Sequence, residues 1–299
     1  MAGTTPRDAA LVLPASTSMD AVTLHTADQD RLSAYYREAL GLEELGGDAA
    51  RTQRPPAAGR AAPLVLGRGG TPLVVLMHTP DLPAARPGQS GLFHTALLYP
   101  DRASLAAVVA RAARHPQSQF AGSSDHLVSQ AFYFTDPEGN GIELYWDRPR
   151  ADWVWHGTRV EIDSLPLDPS AFLQEHLAGD VLSDADVGHV HLKVGDIHQA
   201  RSFYVDALGF EITADLGSAL FVSAGGYHHH MGMNTWQSAG AGPRAATIGL
   251  GQVSIVLDGR EGLDALAARL TRHRIDFRDD GRTLRFEDPW RSALEVSSA

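Results

Sequence analysis

The stretch Ser124 to Trp146, SDHLVSQAFYFTDPEGNGIELYW, holds a histidine, a tyrosine and a glutamate at spacings that a metal site needs. His126 opens a strand-like run that Phe132, Tyr133 and Phe134 continue. Thr135 to Gly141 is dense in turn residues, after which Ile142-Glu143-Leu144-Tyr145 alternates again as a strand. A hairpin holds its two strands side by side, so Tyr133 and Glu143 can approach one site across the ladder. On its own the stretch also fits an ordinary hairpin with an exposed Glu143.

The rest of the composition narrows the function classes. At 299 residues the chain has room for about two domains of ordinary size. A net charge of −11 with no Lys/Arg-rich run repels a phosphate backbone, which argues against a nucleic-acid partner. With no cysteine there is no disulfide, thiolate ligand or thiol nucleophile, which fits a reducing compartment. No apolar run reaches the ~18 residues of a membrane span, and Met1 to Ser18 lacks a basic start followed by an apolar core. A cytoplasmic protein with no membrane partner is expected, its residues 1–18 forming a loosely held arm.

The chain repeats one pattern. Val22 to Asp28, then Arg31 to Leu42, reads as a strand running into an amphipathic helix that Gly41 stops. The pattern recurs at His189 to Asp196 with Ala200 to Phe210 behind it. Fainter copies begin at Phe93 and Gln252, with helical patterns over Leu105 to Ala113 and Leu263 to His273. Short strands follow each helix: Leu64-Val65-Leu66 and Leu73 to Leu76, the hairpin above, Ala219 to Val222 with His229 to Thr235, and Thr283 to Glu287 with Ala293 to Val296. Arg51 to Arg60 reads as a mobile loop. Asp147 to Val187 reads as an ordered connector whose Trp153 and Trp155 pack onto a sheet. The division expected is an arm (1–18), a first domain (19–149, modules about 19–79 and 91–149), a connector (150–186) and a second domain (187–299, modules about 187–237 and 248–299).

Four such units resemble the vicinal oxygen chelate superfamily, which implies an α+β fold of four βαβββ modules pairing into two half-open barrels around a metal. The resemblance covers nearly all of the chain from Met19 onward. Within it, His126, Phe132-Tyr133, Asp136-Pro137, Gly139 and Glu143 look like the signature of extradiol ring-cleaving dioxygenases, catechol 2,3-dioxygenase among them. Ser124 departs from that signature at a turn position. Aligning the units on their first strands makes Ala21, His94, His189 and Gln252 equivalent. The resemblance implies that this position and a carboxylate on a last strand ligate the metal. His94, His189 and Glu143 would then form a two-histidine, one-carboxylate set suited to Fe(II), with Mn(II) accepted by the same donors.

That ligand set requires the second and third units to face each other, leaving the first and fourth, with Gln252 and Glu295 but no matching histidine, as a metal-free half. Contiguous pairing is the simpler topology and would turn to His25; His191, on the same face as His189, is the nearest competitor. Three consecutive histidines, His228 to His230, can read as a metal tract or a polar rim. Strand alternation instead turns His228 and His230 away from the face of His229. The resemblance gives His229 the role of acid/base, His126 a hydrogen bond to a substrate oxygen, and Tyr133 a hydrogen bond near Glu143.

The implied activity is O2-dependent meta cleavage of a catechol- or hydroquinone-type diol, by a homo-oligomer as relatives commonly are. Two alternatives stand beside it. A glyoxalase-type lyase or isomerase usually takes four protein ligands, and the third unit has no Asp or Glu over Tyr227 to Trp236. A metal-free small-molecule binding protein of the same fold would have no need of His126, Tyr133 and His229.

Overall fold

A computed structural model describes residues 11–46, 62–179 and 182–299, so Arg51 to Arg60 and most of the expected arm lie outside the described residues. Each unit is a complete βαβββ module, and the sequence explains its helices. Asp28 and Asp101 cap α1 (Gln29–Ala39) and α2 (Arg102–Arg114), each accepting a hydrogen bond from a backbone N–H three residues on. Their apolar positions recur at helical spacing and are buried, from Leu32 to Ala39 and from Leu105 to Ala112. The third module's helix begins at α3 (Ile197–Arg201) and widens to π-helical over Ser202–Ala207, which the apolar periodicity does not announce. In the fourth module α4 spans Gly259–Arg272.

In each module the first strand pairs in parallel with the last. In the first, β1 (Val22–Thr26) lies beside β3 (Thr71–His78), β2 (Leu64–Arg68) follows outside, and a two-residue strand, Glu43–Glu44, completes the module at the edge. The second has β4 (Gly91–Leu98), β5 (Gln119–Asp125), β6 (Ser129–Thr135) and β7 (Gly141–Asp147), with β7 beside β4. In the third, β8 (Asp186–Lys193) precedes β9 (Glu211–Asp215), β10 (Ala219–Ser223) and β11 (Met231–Asn234). The fourth runs β12 (Gly249–Leu257), β13 (Phe277–Asp279), β14 (Thr283–Glu287) and β15 (Ala293–Ser298).

The modules join through their first strands into two nine-stranded sheets. β4 pairs antiparallel with β8, uniting the second and third modules, and β1 with β12, uniting the first and fourth. Contiguous pairing, the alternative topology, does not occur. The division at 150–186 therefore separates strands of the same sheet. His25 stands on the other sheet, opposite Gly249 and Met77.

Between the sheets the turn Asp136 to Asn140 acts as a latch. The Asp136 carboxylate accepts from the backbone of Glu138 and Asn140 (both 2.9 Å) and from the Tyr36 hydroxyl (3.2 Å). Glu138 Oε1 accepts from Thr26 Oγ1 and the Ala27 backbone, both at 2.9 Å. Gly139 takes φ +83°, a conformation open to glycine. The fourth module repeats the device: Asp288 accepts from the backbone of Trp290 (2.9 Å) and Ser292 (2.7 Å) and from Tyr204 (3.0 Å). The Asp-Pro of the signature is thus architectural here.

The connector is held at several points. Trp153 is buried with Val128, Val160 and Tyr227, and Leu165–Pro166 pairs with Ser124 and Asp125 at the edge of β5. Trp155–His156 pairs instead with Arg159–Val160 in a small ladder of its own. Among the described residues no helix is long and apolar enough to cross a membrane.

Candidate metal centre

Strand alternation builds the site. On β4, β6, β7 and β8 one set of side chains, Leu97, Phe132, Phe134, Ile142, Leu144, Val190 and Leu192, enters the main apolar core. The other set faces inward: His94 and Ala96, Ala131 and Tyr133, Glu143 and Tyr145, His189 and His191. Register then aligns them. Ala96 pairs with Glu143 on one side and His189 on the other, His94 with His191, and Tyr133 with Glu143.

Three of these side chains converge. His94 Nε2 lies 2.9 Å, and His189 Nε2 3.2 Å, from the same oxygen, Glu143 Oε2. All three residues are buried and together can hold a metal ion. Despite its short distance, His94 Nε2 makes no aligned hydrogen bond. Two imidazole nitrogens and a carboxylate oxygen, all buried and one nitrogen unpartnered, fit a common cation better than they fit each other. Burial opposes the charge of Glu143, but His189 and His94 outweigh it and hold its carboxyl well below the ordinary range. Burial lowers His189 to about 4, leaving it neutral and able to ligate.

His191 packs its ring 4.9 Å from that of His94 but is not one of the three residues whose ligand atoms converge. Asn234 Nδ2 donates to its Nε2 (3.0 Å), and its ring packs on Phe93, Phe221 and Trp236. Gly232, opposite His191 on β11, makes room: a Cβ there would lie 2.9 Å from His191 Cγ. By register Gly232 occupies in the third module the position of Glu143 in the second.

His126, Tyr133 and His229 line one cavity of about 840 Å³ with the trio. His126 Nδ1 is 2.7 Å from the Asp163 carbonyl, which can only accept, so Nδ1 carries a proton. Its Nε2 lies 2.7 Å from the Tyr133 hydroxyl. Burial, and then the Glu143 charge, push that phenol well above its usual range, so it remains a donor.

The histidine tract differs from the strand expected. β11 begins only at Met231, and His228 to His230 lie in the irregular segment before it. Strand alternation therefore does not govern them. All three are buried, which also removes the polar-rim reading. His230 turns to Ser223 (3.1 Å), whereas His228 bridges inward. Its Nε2 is 2.8 Å from Asp147 Oδ1 and its Nδ1 is 2.7 Å from His229 Nδ1. Asp147 also accepts from Tyr227 (2.8 Å), to which Tyr145 donates (2.8 Å).

A carboxylate at the end of this chain sets every proton. His228 donates through Nε2 and accepts at Nδ1, so His229 donates through Nδ1 and keeps Nε2 as an acceptor. The His229 ring lies 4.1 Å from that of His189, tilted by 50°, and burial holds it well below the usual histidine range. Sequence reasoning missed Asp147 and His228. The available signal was Asp147 lying four residues past Glu143, on the inner face of the same strand.

A family model described as the Glyoxalase/Bleomycin resistance protein/Dioxygenase superfamily matches residues 18–144 and 186–296. The chain belongs to that superfamily. A catechol-2,3-dioxygenase of Bacillus subtilis (strain 168) is 39% identical over 211 residues, covering 67% of this chain and 72% of the relative. By sequence this superfamily member is thus a dioxygenase-like enzyme. Among solved structures, a candidate dioxygenase of Bacillus subtilis superposes with a TM-score of 0.61 at 14% identity, covering 94% of this chain and 84% of that one. Glyoxalase I of Zea mays superposes with 0.58 at 15%, covering 95% and 92%. At such identities these superpositions speak for the fold.

Proposed function

We propose that this enzyme is an Fe(II)-dependent extradiol dioxygenase that opens a catechol- or hydroquinone-type ring next to its diol. The observation that carries the reading is the convergence of His94, His189 and Glu143 at one inner point of a cavity that His126, Tyr133 and His229 also line. Three protein donors leave room for substrate and O2 on a six-coordinate ion. When bound, such an ion supplies charge for the diol oxygens and adjacent positions for the two reactants.

The protein's own groups supply the rest. His229, neutral and with Nε2 free, accepts a phenolic proton and can return it to the opened product. Tyr133 offers a hydroxyl hydrogen beside Glu143, and His126 orients that hydroxyl or turns to a substrate oxygen. Phe93 and Phe221 furnish apolar walls against the faces of a ring. Gly232 supports this reading over a glyoxalase-type one, because it leaves the third module without a carboxylate for a fourth ligand.

The test is anaerobic purification with Fe(II) or Mn(II), metal analysis, then O2 uptake with catechol while watching for a yellow ring-opened product. His94→Ala and Glu143→Ala should each lose bound metal and activity together. Full metal occupancy in either variant would remove it from the ligand set. Metal-loaded wild-type protein that consumes no O2 with any aromatic diol would end the ring-cleavage reading.

A further inference from the structure

Of the chain's 25 cationic side chains, only Lys193 is a lysine. It stands on β8 two residues past His191 and four past His189, on the same inner face, and it lines the same cavity. Four residues of strand carry it ~13 Å from His189, toward the end near Trp236 and Gln237. Across the ladder stands Gly91, which brings no side chain against it. Its neighbour on β11 is Asn234, whose amide is engaged by His191.

Lys193 is partly buried and has no hydrogen-bond or ion-pair partner among the described residues. The two carboxylates lining the cavity are engaged elsewhere: Glu143 by His94 and His189, and Asp163 by the Ser164 backbone at 2.7 Å. Burial pulls the ammonium below the ordinary lysine range. A partly desolvated cation without a counterion is costly, and the missing partner is most simply an anion that arrives with the ligand. Lysine suits that task as a compact charge on a flexible stem.

We propose that Lys193 is an anion subsite that selects aromatic diols carrying a carboxylate on the side of the ring remote from the hydroxyls. The diol end of this assignment rests on the ring-cleavage reading; the anion end does not. Two measurements keep them apart. Metal-loaded protein is assayed with 3,4-dihydroxyphenylacetate and its neutral amide, in the wild type, Lys193→Met and Lys193→Arg. The wild type should favour the acid by on the order of 10- to 100-fold in kcat/KM, chiefly through KM. Lys193→Met should bring the ratio near one, and Lys193→Arg should restore part of it.

Separately, phenylacetate is titrated by calorimetry onto the chelator-treated wild type and Lys193→Met. Binding by the wild type that the methionine variant loses supports the subsite even if no diol is cleaved. Equal binding to both, no binding to either, or an acid-to-amide ratio that Lys193→Met leaves unchanged would overturn it.

Discussion

Tyr133, Glu143 and His94 could be named from spacing and resemblance because each sits on a strand, where side-chain direction follows parity, whereas His126 lies in the connection between β5 and β6 and was named from the resemblance. His228 and Asp147 could not, because their pairing joins positions 81 residues apart through a segment with no periodicity. That pairing carries a prediction. Asp147→Asn can no longer act as a pure acceptor, so the proton order along His228 and His229 is lost. We expect kcat to fall on the order of 10- to 100-fold with KM little changed, since Asp147 does not line the cavity. Steady-state O2 uptake checks it. An unchanged kcat, or a loss confined to KM, would show that the chain does not govern His229.

At the scale of elements, the site depends on three adjacent strands, β7, β4 and β8, held in one register. Gly141 is where that register is least tolerant: a Cβ there would lie 2.0 Å from the Phe93 carbonyl oxygen, backbone that cannot step aside. Gly141→Ala should part β7 from β4, separating Glu143 from His94, and lower stability by about 2 kcal/mol or more. Gly232→Ala meets the His191 ring at 2.9 Å instead, a milder clash, and should cost less. Thermal melts of both variants, with metal content measured alongside, decide the order. Equal melting temperatures would show that the ladder relaxes at Gly141. The strands around both glycines were legible from their alternation, but the start of β11 was not, because His229 and His230 look like strand continuation until tertiary contacts draw them out of it.

Across the whole molecule, burying many neutral histidines has a pH consequence. Burial lowers His189 to about 4 and His230 to about 3, and places His191 and His229 well below 6.5. Each is neutral when folded and binds a proton near pH 6.5 when unfolded. Their stabilisation is therefore full above pH 6.5 and is lost as pH falls toward their folded values. Asp136 and Asp288, raised by burial, have the opposite sign and offset part of this loss as pH falls. Metal-free protein should lose on the order of 10 °C in Tm between pH 7 and pH 5, each histidine adding up to ~1.4 kcal/mol per pH unit. His230→Asn should flatten the curve relative to its own value at pH 7. Melts across that range check it, and a flat Tm would mean that these rings are hydrated in solution.

The sequence by itself determined the module, its fourfold repetition, the inner and outer faces of each strand and the chemistry on the inner face. These are local consequences of side-chain period and turn composition. Only the tertiary structure decided which modules share a sheet, that His189 and not His191 meets Glu143, and that Asp147 reaches His229 through His228. Those outcomes depend on the antiparallel register of β4 with β8 and on the space left by Gly232, contacts between residues far apart in the chain that no local pattern encodes.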